Sequence, residues 1–155
     1  MIVWLNGPFG VGKTTVARLL VERMPGARIV DPERLGWVMR RTLWRTVDYQ
    51  DVALWRRLTV RWVERAGAKG AIVVPMTVVE RHVYDELTGG ARVFALAASR
   101  PTMAARIAAS DEARQWRSQN LDRCLAAFED DGLGERIDTD GRTPTEVADL
   151  ILARL

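Results

Sequence analysis

Residues 7–14 read Gly-Pro-Phe-Gly-Val-Gly-Lys-Thr, a glycine-rich octet closing on a lysine and a threonine. Glycines at 7, 10 and 12 let the backbone bend tightly and turn several N–H groups inward, which is what a polyphosphate needs from its surroundings. A lysine after the third glycine puts a compact positive charge where β and γ phosphate oxygens would lie, and the next hydroxyl is the expected Mg²⁺ ligand. The phosphate-loop pattern G-x-x-x-x-G-K-[ST] is met at every fixed position. Of 23 basic residues only Lys13 and Lys69 are lysines, so a chain that uses arginine almost everywhere keeps a point charge in this loop rather than a planar fork. The binding residues read from the pattern are Gly7, Phe9, Gly10, Val11, Gly12, Lys13, Thr14 and Thr15, with Thr14 as the metal ligand and Lys13 also catalytic.

Such a loop works only when a strand delivers it and a helix receives the phosphates on its N-terminus. Both flanks fit. Ile2-Val3-Trp4-Leu5 is an apolar run rich in β-branched and aromatic residues, and Thr15 to Arg23 carries apolar residues at helical spacing. Beyond it, short strands are expected at 27–30, 71–74, 93–97 and 136–138. Helices are expected at about 32–43, 51–66, 78–87, 101–109, 116–128 and 144–155. Strands alternating with helices imply an α/β fold with a parallel sheet and one core, in a single domain covering 1–155. No internal repeat or interdomain linker is visible.

In parallel sheets, ligands sit beyond the carboxyl ends of the strands. That rule selects Asp31, Pro75-Met76-Thr77, Ser99-Arg100 and Asp138-Thr139-Asp140-Gly141 beside the phosphate loop. Asp31 is also placed to cap a helix, with Pro32 and Glu33 in its first turn. Thr77 and Glu80 have the spacing of a capping box, as do Thr143 and Glu146. The third strand ends without an aspartate, so Thr14 and Asp31 are left to hold any metal. Arginine and tryptophan interleave from Arg34 to Arg57, through Trp37, Arg40, Arg41, Trp44, Arg45, Trp55 and Arg56. Two readings of that stretch are open, a stacking pocket for a flat or anionic ligand, or a helical pair with tryptophans inside. Trp4 and Trp62 are expected in the core, Cys124 as a packed small hydrophobe and His82 on the surface.

Hydrophobic content of 48% and charged content of 28% are globular values. The net charge of +3 is spread among 20 acids, which favours local arginine clusters around anionic small molecules over a nucleic-acid face. No apolar run approaches a membrane span, the single cysteine excludes an internal disulfide, and a first strand at Ile2 leaves no room for a signal peptide. A cytoplasmic protein is therefore expected, with no nucleic-acid partner and no integral membrane segment, as a monomer or weak homodimer.

With these pieces placed, the chain resembles the small P-loop kinases, the group of adenylate, shikimate, gluconate and chloramphenicol kinases, and within it the tunicamycin-resistance proteins. The resemblance rests on Ile-Val-Trp-Leu-Asn-Gly with Phe9-Gly10, on Asp31-Pro32-Glu33 with Gly36, and on Asp48-Tyr49-Gln50 with Leu54-Trp55-Arg56. It continues through Val74-Pro75-Met76-Thr77, Leu121-Asp122-Arg123-Cys124 and Ile137-Asp138-Thr139-Asp140. It implies a three-layer P-loop NTPase fold with a five-stranded parallel sheet in the order 2-3-1-4-5, a substrate-binding helical region at about 32–66 and a lid at about 110–117. It implies ATP and Mg²⁺ as cofactors. Asp31 would position or deprotonate an acceptor hydroxyl and hold the metal, Arg114 and Arg117 would stabilise charge on the transferring phosphoryl group, and Arg123 would join the catalytic set as a ligand of phosphate or substrate. Arg106 would stack on adenine, with the backbone at Asp140 and Gly141 wrapping the base edge. The function so implied is transfer of the γ-phosphoryl group of ATP to a hydroxyl of a small molecule, in resistance to a nucleoside antibiotic of the tunicamycin type. Two alternatives stay open: ATP-dependent capture of the drug without chemistry, and a metabolic kinase for a nucleoside, nucleotide or sugar acid.

Overall fold

In the computed structural model the structure describes residues 1–33, 36, 48–109, 114–129 and 131–155. Five strands form one parallel sheet: β1 (Ile2–Asn6), β2 (Arg28–Ile29), β3 (Ile72–Pro75), β4 (Arg92–Ala97) and β5 (Glu135–Asp138). Their order is β2-β3-β1-β4-β5, as the resemblance implies. The chain leaves central β1 toward one edge, returns, and then builds the other, so the loop after β1 lies at the switch point between β3 and β4.

Helices α1 (Lys13–Arg23), α2 (Ala53–Gly67), α3 (Arg81–Leu87), α4 (Arg100–Ala108), α5 (Arg114–Ala127) and α6 (Pro144–Leu152) cover the sheet. Side-chain alternation along the strands assigns the faces. Val3 and Leu5 of β1 join Val73, Phe94, Leu96 and Ile137 in a core shared with α1, α4, α5 and α6. Trp4 points to the opposite face, where Ile72, Val74 and Met76 meet Trp55, Val63 and Ala66 of α2 and Val83 and Leu87 of α3. Three layers result, with Trp4 and Trp55 fully buried.

Two expectations fail. Trp62 is 41% exposed rather than in the core. The inward arc of α2 is Trp55, Thr59, Val63 and Ala66, and Trp62 stands one residue, about 100° of helix, away from Val63. The helix expected from Val78 starts only at Arg81, without a side-chain cap, so Thr77 and Glu80 form no capping box. The cause is Asn6, whose amide takes both the N–H and the carbonyl of Val78 and holds that residue out of a helix. The box at Thr143 and Glu146 does form. A turn of 3-10 helix at Tyr49–Asp51 precedes α2. The expected helix at 32–43 and the segment 110–113 fall largely or wholly outside the described residues, as do Arg34, Trp37, Arg40, Arg41, Trp44 and Arg45. His82 is exposed.

Candidate active site

The loop from Gly7 to Gly12 joins β1 to α1 with positive φ at Gly7, Gly10 and Gly12. Gly7 is required twice over: its φ is +139°, and a Cβ there would stand 2.5 Å from the Leu96 carbonyl oxygen. Gly12 caps α1 without offering a side-chain acceptor, and the first turn carries no acid. A helix start of this kind can receive an external anion. Lys13 is buried, and its Nζ donates to the carbonyls of Gly7 at 2.9 Å and Pro8 at 3.0 Å. It also stands 5.9 Å from the centroid of the Phe9 ring. Thr14 and Thr15 are exposed at the start of the helix.

Beneath the loop lies a polar clamp that sequence reasoning missed. Asn6 is fully buried at the end of β1. Its Oδ1 accepts from the N–H groups of Gly7 (2.9 Å) and Val78 (2.8 Å). Its Nδ2 donates to the carbonyls of Val78 (3.0 Å) and Leu133 (3.3 Å). The available signal was a lone amide ending an otherwise apolar strand against a glycine.

Thr77, at the exit of β3, is the second tie. Its hydroxyl donates to the Gly7 carbonyl at 3.0 Å, its N–H donates to Glu33 Oε1 at 2.7 Å, and its carbonyl accepts from Gln50 Nε2 at 2.9 Å. Asp31 is half-buried just beyond β2, where Val30 still pairs with Val73. Tyr49 stands against this acidic group. Its phenol is pushed well above its ordinary range, first by burial and then by the negative charge of Glu33, with smaller contributions from Asp48 and Asp31, so it stays protonated at any physiological pH. Its ring meets Trp55 edge-on at 4.9 Å and leaves no room for a side chain at Gly36, where a Cβ would come within 2.5 Å of it.

On the other side of the loop, Arg106 donates to the Val11 carbonyl and the Thr139 hydroxyl, both at 3.0 Å, and to the Thr139 carbonyl at 3.2 Å. Asp140 turns its carboxylate onto the Ser99 N–H at 2.8 Å. Hydrogen bonds from the Thr102 hydroxyl and then from Ser99 hold that carboxyl below the usual range. Gly141 follows, exposed, at φ +66°. Arg123 is exposed on α5 and lies 3.8 Å from Glu80. Cys124 packs with Phe128 and Leu133 against Phe9, and burial raises its thiol pKa. Arg114 and Arg117 belong to the first turn of α5, and their side chains lie outside the described residues.

The structure therefore gathers the whole phosphate loop, Asp31 with Glu33 and Tyr49, and Arg106 with Thr139 around one end of the sheet. Arg123 stands apart, facing α3. Among the described residues no group of three His, Cys, Asp or Glu could cage a metal.

Residues 2–130 match the family model described as an AAA domain. No curated protein matches the chain in sequence. Among solved structures, the Deinococcus radiodurans tunicamycin resistance protein is 29% identical, with a TM-score of 0.80 over 99% of this chain and 94% of that one. A gluconokinase from Sinorhizobium meliloti is 20% identical, with a TM-score of 0.71 over 98% of this chain and 91% of that one. A shikimate kinase from Acinetobacter baumannii, in complex with shikimate, is 16% identical, with a TM-score of 0.65 over 99% and 91%.

Proposed function

The chain belongs to the AAA domain family, and from that premise we propose that it binds ATP with Mg²⁺ and transfers the γ-phosphoryl group to a hydroxyl of a small molecule. One observation carries the reading: a helix whose first turn has neither a side-chain cap nor an acid, behind a loop whose buried lysine rests on two carbonyls. The kinase fold of the neighbours supports it.

In this reading the loop amides and Lys13 hold the β and γ phosphates, Thr14 and Asp31 are the protein oxygens for Mg²⁺, and the metal supplies charge neutralisation on the phosphates. The acceptor oxygen attacks γ-phosphorus, the bond from that phosphorus to the β–γ bridging oxygen breaks, and Asp31 takes the hydroxyl proton. ADP and the phosphorylated acceptor leave. Residues 32–66 form the acceptor side. The lid at 110–117, with Arg114 and Arg117, closes over the transferring group and excludes water, with Arg123 behind it. Arg106, Asp140 and Gly141 border the base. The reaction belongs in the cytoplasm, a reducing compartment that suits a lone buried thiol.

The acceptor is a nucleoside antibiotic of the tunicamycin type, a reading supported by the likeness to the D. radiodurans protein. A second reading, capture of the drug without chemistry, is favoured by the exit of β3, where Thr77 stands in place of an acid and its hydroxyl goes to the Gly7 carbonyl. Mass spectrometry of the protein with ATP·Mg²⁺, tunicamycin and a panel of nucleosides and sugar acids separates the two. A product heavier by one phosphoryl group, absent with Lys13→Ala and Asp31→Asn, is the expected result. Phosphorylation of a sugar acid or simple nucleoside alone would make this a metabolic kinase. Unmodified tunicamycin retained only with ATP would establish capture.

A further inference from the structure

We propose that the outward face of α2 is a docking surface for a bilayer that carries anionic lipid. The proposal is independent of the nucleotide-binding reading above.

Leu54, Leu58 and Trp62 recur every four residues along α2 and are 54%, 42% and 41% exposed. A single exposed leucine means little, but large apolar side chains aligned in one row mark a contact surface. The inward arc of the helix, Trp55, Thr59, Val63 and Ala66, is already packed against the sheet. Arg56, about 160° of helix away from Leu58, reaches α3 through Glu86 at 2.6 Å. The apolar row therefore looks away from that neighbour. Beside it runs a second row, Arg57, Arg61 and Arg65, with Lys69 just past the end of the helix, all four exposed. Among the described residues none of these four side chains makes a hydrogen bond or an ion pair. The exposed acids of the same stretch are Asp51 and Glu64, so the face is net positive.

Size and charge choose the occupant. The apolar row spans eight residues of helix, about 12 Å. Three part-exposed side chains fall well short of the roughly 800 Å² a side that a specific protein partner covers. A second copy is also disfavoured, because antiparallel pairing about Leu58 would set Arg57 of each copy beside Arg61 of the other. A bilayer surface needs no matching shape. It accepts leucine and tryptophan at the boundary between headgroups and acyl chains, and its anionic headgroups add about fivefold in affinity for each nearby arginine or lysine. No described helix is long and apolar enough to cross a membrane, so the contact is lateral. With so few anchoring side chains it is weak, reversible and screened by salt.

The test is co-sedimentation of the protein with vesicles of phosphatidylcholine alone, and of phosphatidylcholine and phosphatidylglycerol in equal parts, at low and high salt. The variants are Trp62→Ala, Leu58→Gln, the pair Arg57→Gln with Arg61→Gln, and Arg18→Gln on α1 as an exposed arginine elsewhere. Every position is exposed, so circular dichroism and urea midpoints should match the wild type. Wild type is expected to bind the phosphatidylglycerol vesicles, to leave them at high salt and to ignore phosphatidylcholine. The arginine pair should weaken binding about 25-fold and Trp62→Ala about tenfold, with Arg18→Gln unchanged. If Trp62→Ala does not fold, Leu58→Gln decides in its place. No binding to phosphatidylglycerol vesicles, or equal binding to phosphatidylcholine, overturns the proposal. Binding that Trp62→Ala leaves intact also overturns it, since diffuse charge attraction then suffices. A dimer in sedimentation velocity that Trp62→Ala dissolves would assign the face to a second copy instead.

Discussion

Asn6→Ala tests how the site is held together. The side chain makes four hydrogen bonds, two accepted by Oδ1 and two donated by Nδ2, in a fully buried position. Alanine leaves the N–H groups of Gly7 and Val78 and the carbonyls of Val78 and Leu133 without that partner. At about 1 kcal/mol net per bond the loss is about 4 kcal/mol, eased somewhat by water entering the vacated space. For a domain of this size that lowers the melting temperature by about 10 °C. The measurement is urea and thermal unfolding followed by far-UV circular dichroism, with an unchanged urea m-value showing that the states compared are the same. Asn6→Leu sharpens the test. If Asn6 acts as a polar clamp, leucine is no better than alanine, because it fills the space, excludes water and satisfies nothing. If the position is merely a packing site, leucine restores stability. A loss under about 1 kcal/mol for alanine, or a rescue by leucine, refutes the reasoning.

Gly7→Ala should cost about 3 kcal/mol and abolish nucleotide binding, since the new Cβ meets the Leu96 carbonyl at 2.5 Å and the φ of +139° strains any L-residue; unfolding and calorimetry check both. Thr59 is fully buried, and among the described residues its Oγ1 has no hydrogen-bond partner. Thr59→Val should therefore raise stability by about 1 kcal/mol in urea unfolding; destabilisation would mean that the hydroxyl is satisfied in solution. Asp140 carries a carboxyl depressed in the folded state, so its contribution is present above the usual carboxylate range and fades as pH falls through the depressed value. Asp140→Asn should flatten the acid limb of a stability-against-pH profile and leave neutral and alkaline behaviour unchanged in shape.

The order of elements was legible because its signals are local. Val3 and Leu5 against Trp4 is a period-two alternation, and the burial pattern follows it. The phosphate loop is legible for the same reason, since strand, glycines and helix start are contiguous. What escaped was non-local. The partners of Asn6 lie 72 and 127 residues away, and no sequence window contains both ends of such a bond. Thr77 shows the competition directly. Its spacing to Glu80 satisfies the capping-box rule, yet the Asn6 amide bonds both the N–H and the carbonyl of Val78, and the hydroxyl goes to Gly7 instead. Trp62 failed for a geometric reason: α2 has a narrow buried arc, and hydrophobicity alone does not say which tryptophan falls inside it.

The same bonds argue for where selectivity lies. The phosphate loop is braced from β3 through Asn6 and Thr77 and from β5 through Arg106, which spans Val11 and Thr139. Asp140 then fastens the β5 exit to Ser99 before α4. A loop held on both sides offers its amides already oriented, so little ordering entropy opposes phosphate binding. Such a cradle recognises a polyphosphate by shape and is indifferent to the acceptor. On the proposed reading, discrimination among acceptors then falls to the side of Asp31, Glu33 and Tyr49, where burial first and the Glu33 charge next keep the phenol protonated.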